Sequence, residues 1–404
     1  MSAKKLHAVV AGHICFDVIP AFKQDFLKGQ MSDIFIPGKL INMDRVAVST
    51  GGPVSNTGIA MQILGLNVEL MGKIGDDYFG DGVLKCLSDR GLEKAMTVTP
   101  GEATSYTVVI VPPGFDRIFL HHTGANDTFC ADDIDYDKVA QAELFHFGYP
   151  PLMKRIYADG GRELIEIFKR AKATGVTTSL DMSLPDPNSD SGKVDWDAIL
   201  RELLPYVDIY LPSIEESMYM VMRDEFARLQ ADHAREDKGD ILLSLDLNTM
   251  QTVSEKLMSY GPKVLVLKCG IMGYYIRTAP ENTLRQMGRA KPTDLANWAD
   301  RELHEESFHI PKIAAATGSG DSSIAGFFAA FFNGKSIEET IRIACCVGCQ
   351  NVQVFDALSN IHTWDETVAM MNGREKNRHD IPGSYWRYDD KAGNWVGRKD
   401  KSGK

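Results

Sequence analysis

The chain has 404 residues, enough for one large α/β domain with additions or for two smaller ones. Its apolar share of 44% and charged share of 25% are those of an ordinary globular protein. A net charge of −11 argues against nucleic acid as the main partner, and no apolar run approaches membrane-spanning length, the longest being Ile324–Phe332.

In chain order, Leu6–Val10 reads as a first buried strand. His7, Gly12, His13 and Asp17 interrupt the apolar stretch, which speaks against a signal peptide. Gly12-His13-Ile14-Cys15-Phe16-Asp17 follows the strand, so Asp17 is either a ligand contact at a carboxyl end or a solvated turn acid. Phe35–Ser49 and Ser105–His122 alternate apolar and polar residues and read as half-exposed antiparallel strands, the second folded about Pro112-Pro113-Gly114. Together they would form a small β lid over the carboxyl ends of a sheet. Gly51-Gly52-Pro53-Val54-Ser55-Asn56 opens a helix over Asn56–Leu64. The paired glycines let a ligand approach the backbone, and Asn56 either binds hydroxyl groups or caps the helix.

Val68–Lys73, Leu144–Phe147, Thr177–Asp181, Ile209–Leu211 and Val264–Lys268 read as further strands. Asp81–Arg90, Gly161–Thr174 and Asp195–Leu203 read as the helices between them. This alternation predicts a mainly parallel sheet covered on both faces, with ligands outside the carboxyl ends of its strands. Asp181, at such an end, is placed to touch substrate or metal-linked water. Asn126 either closes a turn or reaches substrate from the lid side, while His121-His122 has no partner at metal spacing. Met218–Tyr260, charged and helical, and Thr278–Phe308, polar and Pro-containing, look like insertions. Residues 1–370 form the expected main domain, with the lid drawn from about 14–50 and 103–124. The extension 371–404 is charged, but its Tyr385, Trp386, Tyr388 and Trp395 predict that part of it docks.

The most informative stretch is Thr317-Gly318-Ser319-Gly320-Asp321, which feeds the apolar run Ile324–Phe332. Glycines and a helix start together favour an anion, and Asp321 stands where a base for a hydroxyl nucleophile is needed. The alternative is a plain capped helix. Gly334-Lys335-Ser336 is not a phosphate loop, since Ala329 holds the place of its first glycine, and Ser323 breaks a dinucleotide fingerprint at Gly318. Cys346-Val347-Gly348-Cys349 lies in a helical run of small and apolar residues and reads as core. Free thiols fit a reducing cytoplasm, the expected compartment.

Gly51-Gly52 with Asn56, the segment Gly72-Lys73-Ile74-Gly75-Asp76-Asp77-Tyr78-Phe79-Gly80, and Gly318-Ser319-Gly320-Asp321 with Ala325-Gly326 resemble, in this order, the motifs of the PfkB, or ribokinase-like, carbohydrate kinases. The match runs from about Leu6 to Asn360. The resemblance implies a three-layer α/β sandwich with a small β lid, and ATP-dependent phosphorylation of a sugar or sugar-acid hydroxyl with Mg2+. It implies Asp321 as base, an anion hole of the Gly318, Ser319 and Gly320 amides, and sugar contacts from Asp17, Gly51, Gly52 and Asn56, with Asn126 and Asp181 nearby. It aligns Ser213-Ile214-Glu215-Glu216 with the family's Asn-x-x-Glu, so Glu216 matches the magnesium-linked acid while Ser213 replaces the Asn. Lys268, Gly270 and Gly273 fall on the nucleotide side. Where many members carry Asp-Thr, tied to a monovalent cation, this chain has Ala315-Ala316, so potassium dependence does not carry over. Two rivals stay open: a nucleoside kinase of the same family, and a silent sugar- or nucleotide-binding protein on this fold. A homodimer through the lid is a further expectation.

Overall fold

The short apolar runs become strands because both their faces are covered, and most of them join one sheet. A computed structural model describes residues 5–23, 31–112, 117–236, 241–354, 356–378 and 385–401. Its strands are β1 (Ala8–Gly12), β2 (Cys15–Phe22), β3 (Met43–Gly51), β4 (Val68–Met71), β5 (Lys73–Gly75), β6 (Thr97–Thr99), β7 (Tyr106–Ile110), β8 (Ile118–His122), β9 (Leu144–Gly148), β10 (Thr177–Leu180), β11 (Ile209–Tyr210), β12 (Val264–Lys268), β13 (Tyr274–Thr278), β14 (Glu302–Glu305), β15 (Arg387–Asp389) and β16 (Asn394–Val396).

The ten-stranded sheet runs β15-β16-β14-β13-β12-β11-β10-β9-β1-β4. From β4 through β12 every pairing is parallel, and from β12 onward every pairing is antiparallel. β1, β9 and β12 are buried along their whole lengths, as the unbroken apolar runs of parallel strands require. One face carries helices Pro53–Ile63, Ser319–Phe332 and Ile337–Asn351, and the other carries Lys154–Ala173, Trp196–Leu203, Ile214–Val221 and Leu247–Met258. Helix Ser319–Phe332 is apolar nearly all round because it lies inside the first of these layers. The architecture is the expected three-layer α/β sandwich.

A second sheet, β3-β2-β7-β8, projects from the carboxyl side of the first. Its β3 begins only at Met43, later than the expected Phe35, because Pro37-Gly38 turns the chain first. The Pro113-Gly114 part of the other expected turn lies outside the described residues.

The reading of Thr278–Phe308 as an insertion needs correction, since it contains β14, a buried strand of the central sheet. β14 is polar in sequence because its charges pair internally: Glu305 meets Arg342 at 3.4 Å and also contacts Lys376. The aromatic tail joins the same sheet as β15 and β16, and Tyr385 donates its hydroxyl to Glu302 at 2.9 Å. The cysteines of helix Ile337–Asn351 are free thiols packed in the core.

Candidate active site

Four parallel strands deliver side chains to one edge: β1 ends before His13, β9 before Tyr149, β10 before Asp181, and β12 ends on Lys268. Facing them is the start of helix Ser319–Phe332. Gly318 caps it with φ 80°, and a Cβ there would lie 2.7 Å from that of Ala357, so glycine is required twice over. The Ser319 amide donates back to the Ala316 carbonyl at 3.2 Å. Among the described residues the Gly320 and Asp321 amides have no acceptor. The Gly318 amide has none either, so of the expected Gly318–Gly320 set only Ser319 is occupied, and the Asp321 amide adds a further open donor.

Asp321 is 1% exposed. Its Oδ2 accepts Asn56 Nδ2 at 2.9 Å and the Tyr149 hydroxyl at 3.1 Å. Among the described residues its Oδ1 accepts only a long contact from Thr57 Oγ1, at 3.4 Å. Burial raises the Asp321 carboxyl above its ordinary value, while Asn56, Lys268, Tyr149 and Thr57 pull it back. A buried carboxylate held by donors, with one oxygen nearly open, is the form a hydroxyl-activating base takes.

The turn Thr317–Asp321 separates two cavities. The smaller, of about 140 Å³, is lined by Asp17, Gly51, Gly52, Asn56, Gly318 and Asp321, together with Tyr149, Thr107 and Arg117. The larger, of about 440 Å³, is mostly apolar and includes Lys268, Gly270, Gly273, Ser319 and Gly320. Gly52 adopts φ 87°, and a Cβ there would stand 2.6 Å from His13 Nδ1. Burial, followed by the charge of His121, lowers His13 to about 3, so it is neutral. Burial raises Asp17 to about 6, against donors from Cys15 and Thr107.

The remaining predicted residues lie off these walls. Asp181 forms a buried ion pair with Lys268. Burial pushes Asp181 up while Lys268 pulls it down; burial alone would lower Lys268, but Asp181 and Glu216 outweigh it and keep the ammonium charged. Glu216 lies half-buried beside them, with Oε2 accepting the Ser213 amide. The Ser213 hydroxyl caps helix Ile214–Val221 by accepting the Glu216 amide at 3.1 Å. Asn126, expected near substrate, instead clamps Ile14: it accepts from its amide at 3.3 Å and donates to its carbonyl at 2.9 Å. Sequence reading missed Tyr149 and Thr57 as partners of Asp321. Their signals were a strand end for the one and a place next to Asn56 for the other.

Magnesium takes oxygen ligands, usually one or two carboxylates completed by phosphate and water. The donor set here fits that mode. Among the described residues Asp181 Oδ2 is buried without a partner, Glu216 is adjacent in charge, and no cluster of three acids, histidines or cysteines offers an all-protein cage.

The profile of the pfkB family carbohydrate kinases matches residues 6–364. The chain belongs to this family. The kinase is 22% identical over 294 residues to an uncharacterized sugar kinase of Archaeoglobus fulgidus, covering 73% of this chain and 94% of that one. Its fold is that of the Arabidopsis thaliana ribokinase solved with ribose and ATP, at TM-score 0.64 and 18% identity, over 91% of this chain and 99% of that one. It is also similar to a putative ribokinase II from E. coli solved with ATP and Mg2+, at TM-score 0.63 and 17% identity, over 91% of this chain and 99% of that one. The ribokinase-like sandwich and the carbohydrate-kinase class expected from the motifs are both established by these matches.

Proposed function

We propose that the kinase transfers the γ-phosphoryl group of ATP to a hydroxyl of a monosaccharide or sugar acid held in the smaller cavity. The carrying observation is that one turn, Thr317–Asp321, walls both cavities, with the carboxylate on the small side and open amides at the junction. In this reading Asp321 Oδ1 takes the proton of the acceptor hydroxyl as its oxygen bonds to the γ-phosphorus and the bond to the ADP oxygen breaks. The Gly318, Gly320 and Asp321 amides and Lys268 offset the charge on the transferred group. Lys268 is at hand, since a Cβ on Gly320 would lie 3.8 Å from its Nζ. Asp17, Gly51, Gly52 and Asn56 hold the acceptor, and Gly270 and Gly273 border the nucleotide. When bound, magnesium supplies neutralisation of the phosphates, and Glu216 with Asp181 would hold it. The modest size of the acceptor cavity favours a monosaccharide over a nucleoside, because pockets for larger ligands run to roughly 300 Å³ or more.

A panel of sugars, sugar acids and nucleosides tested for ADP release with ATP and Mg2+ checks the reading. Turnover on one or more sugars or sugar acids is expected. Preference for a nucleoside would overturn the acceptor assignment, and sugar binding with no ADP release would favour the silent binding protein. The small sheet exposes Val46, Val48 and Leu120 on its face away from the cavity, and we assign a second copy of the chain to that surface.

A further inference from the structure

Tyr149 follows the last residue of β9 and adopts φ 62°, ψ 45°. Only three non-glycine residues among those described have positive φ, and the other two are aspartates, which tolerate it better. A left-handed tyrosine costs on the order of 1 kcal/mol or more, so the surrounding structure must enforce it. The contact it makes is with the site. The hydroxyl reaches Asp321 Oδ2 at 3.1 Å, across 172 residues of sequence. Asn56 Nδ2 occupies the same oxygen at 2.9 Å. Oδ2 therefore carries both good donors, and Oδ1 is left with the 3.4 Å contact from Thr57.

We propose that Tyr149 is a positioning residue: it clamps Asp321 Oδ2, turns Oδ1 toward the acceptor cavity as the proton-accepting atom, and sets the pH range over which the base works. This rests on the reading of Asp321 as base. Burial, then the Asp321 charge, raises the Tyr149 phenol well above its ordinary value, so it stays protonated and donates. The other groups facing Asp321 are Asn56 and Thr57 from helix Pro53–Ile63, Asp181 after β10, Glu216 from helix Ile214–Val221 and Lys268 at the end of β12. Lys268 lowers the Asp321 carboxyl, and the Asp321 charge in turn raises Asp181 and Glu216. Asp17 and Arg117 share the cavity wall. Of the groups that hydrogen-bond Asp321, Tyr149 is the one whose hydroxyl can be removed while its ring stays in place.

The test is Tyr149→Phe, assayed with ATP, Mg2+ and an accepted sugar. The expected result is a kcat lower by about tenfold, the scale of one hydrogen bond to a charged group, and an acceptor KM within about twofold of the parent's. The acidic limb of the kcat/KM profile should move to higher pH, because the lost donor had favoured the ionised base. A parental kcat and pH profile would overturn the proposal. So would a raised acceptor KM with an unmoved pH limb, which would make Tyr149 a sugar contact, or loss of the thermal unfolding transition, which would make the hydroxyl structural. Asp321→Asn separates the two readings. If that variant stays active, the base assignment fails and this inference with it; if it is inactive while Tyr149→Phe behaves as the parent, only this inference fails.

Discussion

Two carboxylates line the smaller cavity, Asp321 buried and Asp17 half-buried, and their surroundings differ. Asp321 has four neighbours that favour its charged form, which suits the base proposed for it despite its burial. Asp321→Asn preserves shape and removes a buried charge, so the fold should stand. Turnover should fall ~10²–10⁴-fold, the usual loss of a positioned base. Steady-state ADP release checks this, and near-parental kcat would sink the assignment. Asp17 has weaker support, from the Cys15 thiol at 3.2 Å and from Thr107. Its folded value of about 6 exceeds the ordinary 3.8, so the folded state binds the proton more tightly than the unfolded chain. Stability is then highest below the ordinary value and is lost as pH rises through about 6. Asp17→Asn escapes that loss. Its advantage over the parent should be larger at pH 7.5 than at pH 4 by at most roughly 3 kcal/mol, as the two values allow. Urea unfolding at both pH values reads it, and an equal gap at both would overturn the assignment of a raised Asp17.

At the level of elements, the antiparallel half of the sheet depends on chain that arrives last. Asp400, fully buried, accepts Arg301 Nε at 2.8 Å and the Glu302 amide at 3.0 Å, tying the tail to β14. Arg301 also meets Glu338 at 2.6 Å, so it keeps one partner if Asp400 is lost. Asp400→Ala should destabilise the fold by about 3 kcal/mol, the lower end for a broken buried pair, seen as a lower thermal midpoint. An unchanged midpoint would show that the tail is dispensable. This dependence was not legible locally. The parallel strands and helix Ser319–Phe332 could be read because double-sided burial writes itself as apolar runs. β14 could not, since Glu305 becomes a core residue through distant cations, Arg342, 37 residues on, and Lys376. The glycine turn and Asp321 were visible as a motif, and so was Asn56. Tyr149 was not, because a backbone twist after Gly148 and a partner far along the chain make its role. Asn126 looked like a turn or a ligand residue; its side chain braces Ile14, a pairing over 112 residues that no local pattern encodes.

At the scale of the whole molecule, the small sheet has work on both faces. Its inner side gives Asp17, Thr107 and Phe119 to the acceptor cavity. Its outer strands, β3 and β8, are open edges, and on the face away from the cavity Val46, Val48 and Leu120 are each about half exposed. Apolar groups on unpaired strand edges invite a partner, and a second copy brings the same surface in return. A dimer formed there would hold the sheet over both acceptor cavities. Introducing lysine at two of these positions, Val48→Lys with Leu120→Lys, should therefore give a monomer by light scattering. Acceptor KM should rise roughly tenfold, equivalent to about 1.4 kcal/mol, while the KM for ATP stays near the parent's, because the larger cavity takes no residue from this sheet. A parent that runs as a monomer at micromolar concentration would defeat the dimer. A monomeric variant with unchanged acceptor KM would separate assembly from acceptor binding and leave the sheet as a cover for its own subunit alone.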